Sequence, residues 1–146
     1  AVFFGHDPMI SDQRGKHSLA VARLMGQMAA DKGWSEEMCR EMFFLGYIHD
    51  IGYEFSQEQQ EHSYVGGQFL KEQGYRYWRE VWYHGIVTEE YSSEELKLLN
   101  TADMCIDSSG NHVGAVRRLA DIEERYGVSS RQYTEAEKLA QRLGLI

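Results

Sequence analysis

Proline is nearly missing from the 146-residue chain: Pro8 is the only one. Beyond the N-terminal segment nothing forces a helix to kink or break, so punctuation falls to Gly and to Ser/Thr caps. Cysteine is scarce as well. Cys39 and Cys105 belong to no CxxC or CxxxC pair, which argues against a disulfide framework or a zinc knuckle and points to a reducing, cytoplasmic setting. There is no run of about 18 apolar residues, so no membrane span is expected. The N-terminus lacks the basic-then-apolar order of a secretory signal. Its opening, Ala1 to His6, has no start Met; it reads as a truncated or processed end with no role in the fold. Basic residues are outnumbered, 15 Lys and Arg against 23 Asp and Glu, for a net charge of −8. No basic stripe runs along the chain, so a nucleic-acid polymer is not an expected partner. A small anionic substrate would need a local positive centre, which a bound metal can supply.

What is present is helical pattern throughout. A first helix is expected from about Asp12 to Lys32, ending at Gly33. Ser35 then caps a second, Glu36 to about His49, which stops at Ile51-Gly52. Ser56 and Gln59 have capping-box spacing, and a helix from about His62 ends at Gly74. Tyr75 to about Val87 reads as a fourth, Ser92 with Glu95 opens the next, and Val113–Tyr126 and Thr134–Leu143 complete the set. No segment alternates with period two for long. The expected fold is all-α, a compact bundle of six to eight non-parallel helices. Residues 1–13 are expected to stand outside it as a mobile N-terminal segment, with 14–146 forming a single domain.

Following each helix in steps of three and four places histidines and acids where core residues belong. The stripes are His17, Val21, Leu24, Met28; then Met38, Met42, Leu45, His49, with Asp50 next; then His62, Val65, Phe69; then Tyr77, Val81, His84; and finally Leu96, Leu99, Asp103, Ile106. Burying one unpaired carboxylate costs several kcal/mol. Separate explanations would require six buried partners, whereas one shared metal site satisfies all six residues, and helical bundles build such sites from inward-facing side chains. His6 and His112 lie on no stripe, and Cys105 is two residues from Asp103, which points it elsewhere.

The order His17, then His49-Asp50-Ile51-Gly52, then Asp103 resembles the HD-domain superfamily of metal-dependent phosphohydrolases, all-helical proteins, over roughly residues 14–107. His62 and His84 match the two additional histidines of its dinuclear members. The stretches His62-Ser63-Tyr64-Val65-Gly66-Gly67, Tyr83-His84 and Leu99-Asn100-Thr101-Ala102-Asp103 are similar to those of bacterial HD hydrolases that cleave diadenosine tetraphosphate symmetrically. This resemblance implies two divalent ions, one held by His17, His49, Asp50 and Asp103 and the other by Asp50, His62 and His84, with Asp50 as bridge. Donors without thiolate suit iron, manganese or a similar octahedral ion, with magnesium, zinc and nickel left open. The implied reaction is hydrolysis of a phosphoester or phosphoanhydride, of a nucleotide, by a metal-bridging hydroxide, with Asp50, His62 and His84 as catalytic residues. Lys16 and Arg14 beside the first ligand either help hold phosphate or are solvated helix-start charges. Tyr53 stands where many members carry Lys, which removes one phosphate contact, and the Gly-Tyr-Pro segment of the cyclic-dinucleotide phosphodiesterases is missing.

The aromatic run Tyr75, Tyr77, Trp78, Trp82, Tyr83 leads to His84 and has three readings: a base-stacking wall, core, or the face of a homodimer. Two rival functions share the six-residue set. One is a mixed-valent diiron oxygenase of the HD type, such as myo-inositol oxygenase and its phosphonate-cleaving relatives; the other is a catalytically idle metal-binding sensor.

Overall fold

The computed structural model describes residues 12–55 and 62–146. Seven α-helices follow in order: α1 (Asp12–Asp31), α2 (Glu36–Ile48), α3 (His62–Glu72), α4 (Trp78–Tyr83), α5 (Glu94–Cys105), α6 (Ala115–Tyr126) and α7 (Arg131–Arg142). A short 3-10 helix, Ile51–Glu54, follows α2. Among the described residues there is no strand, only an isolated antiparallel bridge between Ile106 and His112, so the all-α expectation holds. None of their helices is long and apolar enough to cross a membrane. The Ser56–Gln59 cap lies outside the described residues, as does the N-terminal segment up to residue 11.

Local chemistry sets most of the ends. Gly33, at φ +79°, closes α1, with Trp34 N–H returning to the Ala29 carbonyl at 3.1 Å. Ser35 Oγ then accepts from Met38 N–H at 3.1 Å and opens α2, where Glu36 and Glu37 complement the helix dipole.

Four helices have bounds that differ from expectation. The fourth helix is not Tyr75–Val87 but only Trp78–Tyr83, because Tyr75 N–H is spent on the Leu70 carbonyl in closing α3 and Gly85 turns the chain at φ +83°. Ser93, not Ser92, caps α5. Its Oγ accepts from Leu96 N–H at 2.9 Å and its hydroxyl donates to buried Glu80 at 2.7 Å. The sixth helix begins at Ala115, after Gly114. The seventh begins at Arg131, because Ser130 Oγ caps Tyr133 N–H at 3.1 Å.

The helices enclose two apolar clusters. The larger gathers Val21, Met25, Met42, Leu45, Ile48, Leu70, Val81 and Leu99 from α1 to α5. On α1 the buried line runs through Val21, Met25 and Ala29, while Leu24 and Met28 pack at its margin, one position off the expected stripe. A Cβ on Gly46 would stand 2.8 Å from the Ala22 Cα, so α1 and α2 meet almost backbone to backbone. The smaller cluster, Met104, Ala115, Leu119, Ala136, Leu139 and Ala140, joins α6 and α7 to each other and to the end of α5.

Candidate metal centre

Five helices deliver the six residues to one place. His17 projects from the first turns of α1, His49 and Asp50 follow the last turn of α2, His62 opens α3, His84 follows α4 and Asp103 lies near the end of α5. His62 is brought in by an exceptionally close approach. A Cβ on Gly52 would fall 1.7 Å from the His62 carbonyl oxygen and 2.9 Å from Gly66 N, so only glycine lets the turn after Asp50 lie against the start of α3. His84 is steadied by Asn100, whose side-chain oxygen accepts from Gly85 N–H at 2.9 Å.

The Asp50 carboxylate stands at the centre. Its Oδ1 is 3.2 Å from His62 Nε2 and 3.3 Å from His84 Nε2. Its Oδ2 faces the other way, 3.3 Å from His49 Nε2 and 3.7 Å from His17 Nε2. Asp103 Oδ1 completes that side, 2.8 Å from His17 Nε2 and 3.3 Å from His49 Nε2. Two groups able to hold a metal ion result, His17, His49, Asp50 and Asp103 in one, Asp50, His62 and His84 in the other. Cys105 and exposed His112 belong to neither; His6 lies outside the described residues.

Three of the imidazoles are oriented by the backbone. Nδ1–H of His17 donates to the Asp107 carbonyl at 3.0 Å, that of His49 to Gly46 at 2.7 Å and that of His84 to Val81 at 2.6 Å. This assignment leaves each Nε2 lone pair aimed at carboxylate oxygens or at another Nε2, as between His62 and His84 at 3.1 Å. Lone pairs facing one another repel, and only a proton or a metal cation between them reverses the sign. The donor set thus fits divalent ions, with second-sphere carbonyls of the usual kind fixing the ligand tautomers. Charge effects agree. Burial alone would push His49 down, but Asp50 and Asp103 hold it well above the usual histidine value. Burial likewise opposes ionisation of Asp50, yet His49 and hydrogen bonds from the surrounding imidazoles keep it well below the carboxylate range. Asp103 behaves in the same way, through His49 and His17. His84, the most desolvated partner on the other side, is lowered by burial.

His17, Asp50, His62, His84 and Asp103 line a cleft of about 450 Å³, with His49 buried behind them, a size suited to a small organic ligand. Arg14 lines it, whereas Lys16 does not and is exposed on α1. Arg14 also explains the Tyr53 position. The Tyr53 ring is stacked on His62, centroids 4.2 Å apart and planes 9° apart, and the Arg14 guanidinium carbon lies 3.3 Å above the same ring. One face cannot hold both at these distances, so Tyr53 is sandwiched, one side holding His62 in place and the other holding a cation at the cleft. The run Tyr75 to Tyr83 contributes nothing to the cleft lining. Tyr75 and Tyr77 are core, and Trp78 packs against it; the aromatic rings in the cleft are Tyr53 and Tyr126. A further wall comes from the α6–α7 hairpin and carries Arg118, Arg125 and Arg131, which sequence patterning did not single out. The seven-residue spacing of Arg118 and Arg125 was readable, but not the direction that face would turn.

Neither the curated proteins nor the solved structures compared with this sequence give a significant match. The model of the HD domain matches residues 14–143, which takes in all six cluster residues and both walls of the cleft. The chain belongs to the HD-domain family.

Proposed function

We propose that the protein is a dinuclear metal-dependent phosphohydrolase that cleaves a phosphoester or phosphoanhydride in a nucleotide-sized substrate. Membership of the HD-domain family carries the metal-dependent hydrolase part of this reading. The dinuclear part rests on one observation: the two oxygens of Asp50 are divided between two ligand groups, Oδ2 toward His17 and His49 and Oδ1 toward His62 and His84. In this reading His17, His49, Asp50 and Asp103 hold one ion, and Asp50, His62 and His84 hold the other. Divalent ions bound there supply the positive charge that draws in phosphate and the acidity that turns water into a nucleophile. The nitrogen and oxygen donors favour iron or manganese over a thiolate-type zinc site.

The protein's own groups do the rest. The carbonyls of Asp107, Gly46 and Val81 orient three imidazoles before any ligand arrives, so little reorganisation remains for the reaction. The second group has three protein donors against four in the first, which leaves it the more open to substrate and water. Arg14, held against Tyr53, offers planar donors to phosphate oxygens. Ile86, Val87, Ile122 and Tyr126 give the cleft apolar surface for the remainder of the substrate. The arginines favour an anionic substrate over an uncharged polyol; a phosphonate-cleaving oxygenase of the same ligand set would share that preference and is separated by the reaction itself.

Metal analysis of protein purified without chelator, paired with a phosphate-release screen over nucleotides under anaerobic conditions with manganese, tests this reading. About two ions per chain and release abolished in Asp50→Ala are expected. Near-zero metal with the six residues intact, or no phosphate release while an iron-loaded sample in air consumes oxygen, would overturn it.

A further inference from the structure

The hairpin wall of the cleft carries more positive charge than the six-residue cluster requires. Arg118 and Arg125 lie two turns apart on α6 and so share a face, and Arg131 opens α7. All three line the cleft, as does Arg14. Among the described residues the ion-paired arginines are Arg76, Arg117 and Arg142, and none of these lines the cleft. The cleft arginines make no such pair. Arg118 Nε is in addition shielded from solvent with no hydrogen-bond partner, an unfavourable state for an ionised donor unless a ligand oxygen completes it. The acids on the same wall are Asp121, already bonded to Arg117 at 3.3 Å, and Glu135; Asp107 lies within the field of Arg118 but forms no ion pair with it.

Placement gives these residues a distinct task. Helices α1 to α5 supply the cluster, whereas α6 and α7 are built around their own apolar cluster and supply none of the six residues. A reacting phosphoryl group on the cluster floor would leave the hairpin arginines beside the part of the substrate that does not react. We propose that Arg118, Arg125 and Arg131 are specificity-determining residues, a second anion-binding wall that takes charged oxygens of the substrate remote from the scissile phosphorus. The inference rests on the phosphohydrolase reading for the position of the reacting group. It adds that substrates with further negative charge beyond that group bind better than single phosphates.

Calorimetric titration of the metal-loaded protein with inorganic tripolyphosphate and with orthophosphate tests the wall, with ion content rechecked afterwards so that metal stripping is not read as binding. Tripolyphosphate should bind at least about tenfold more tightly than orthophosphate, and Arg118→Ala should remove most of that difference while changing orthophosphate affinity less than about twofold. Arg125→Ala, at an exposed position, provides the same comparison if Arg118→Ala fails to fold. Glu135→Gln should act in the opposite direction and tighten tripolyphosphate. Unchanged tripolyphosphate affinity in both arginine variants, or equal losses for both ligands, would overturn the proposal. The two readings separate cleanly: phosphate release from nucleotides with no arginine effect removes the wall alone, and an intact binding pattern with no release from any nucleotide removes the hydrolase alone.

Discussion

Tyr53 and His62 lie face to face, ring centroids 4.2 Å apart and planes inclined by 9°. The stack couples the turn after Asp50 to the first residue of α3, and through them the two halves of the cluster. His62 is the most exposed of the four cluster imidazoles, at 13% for its side chain, so a neighbour that restricts its ring contributes directly to ligand geometry.

On the proposed dinuclear reading, Tyr53→Ala should therefore weaken metal binding at the group of Asp50, His62 and His84 by about 10- to 100-fold, the usual effect of losing an outer-sphere partner. Binding at the group of His17, His49, Asp50 and Asp103 should be little affected. Tyr53→Phe keeps the ring and should bind both ions as the parent does. Metal titration followed by calorimetry distinguishes these outcomes, and equal weakening of both sites in Tyr53→Ala would contradict the assigned role.

Gly52→Ala should be among the most damaging small substitutions. The added methyl would meet the His62 backbone carbonyl at 1.7 Å, and backbone cannot step aside as a flexible side chain can. A loss of about 3 kcal/mol or more is expected, at the upper end for overpacking, together with weaker metal binding at the Asp50, His62 and His84 group through displacement of His62. Gly15→Ala is the control, since a Cβ there meets nothing within 4 Å and its helical position favours alanine. Thermal melting of both variants checks the contrast.

Stability of the chelator-treated protein should peak near pH 6.5. His49 is raised well above its ordinary 6.5, so its contribution is complete below that value and disappears as pH rises through the raised pKa. His84 is lowered from 6.5, so its contribution is complete above that value and disappears as pH falls. Asp50 and Asp103, both well below their ordinary 3.8, add a further loss as pH falls from about that value. Metal-loaded protein should keep its stability on the alkaline side and lose metal on the acid side, where protons compete for Nε2. Melting curves from pH 4 to 9 with and without metal test the sign, and a metal-free optimum above pH 8 would refute it.

Glu80 is buried, at 3% exposure, and accepts from Tyr91 Oη at 2.6 Å and Ser93 Oγ at 2.7 Å. These bonds tie α4 to the cap of α5 across the segment that carries Ile86 and Val87 into the cleft. Tyr91→Phe should cost about 1–2 kcal/mol and Glu80→Ala about 3 kcal/mol, since the latter leaves two hydroxyls without their acceptor. Urea unfolding of each variant gives the comparison.

By itself the sequence determined the helical architecture and named the six residues of the cluster. Apolar periodicity and capping chemistry are local, and they placed the starts of α1, α2 and α3 closely. The cluster was legible because His17, His49, Asp50, His62, His84 and Asp103 all interrupt apolar stripes, and a buried acid or imidazole is too unfavourable to arise unaccompanied. Where two local signals competed, as at Ser92 and Ser93, only the buried Glu80 carboxylate selected the cap, and nothing in the chain near Ser93 identifies that partner. The division of Asp50 between two ligand groups, the Tyr53 sandwich and the inward turn of the hairpin arginines were decided by tertiary structure alone. Each depends on which faces of distant helices meet, and the backbone approach of Gly52 to His62 and the separate packing of α6 and α7 set those meetings.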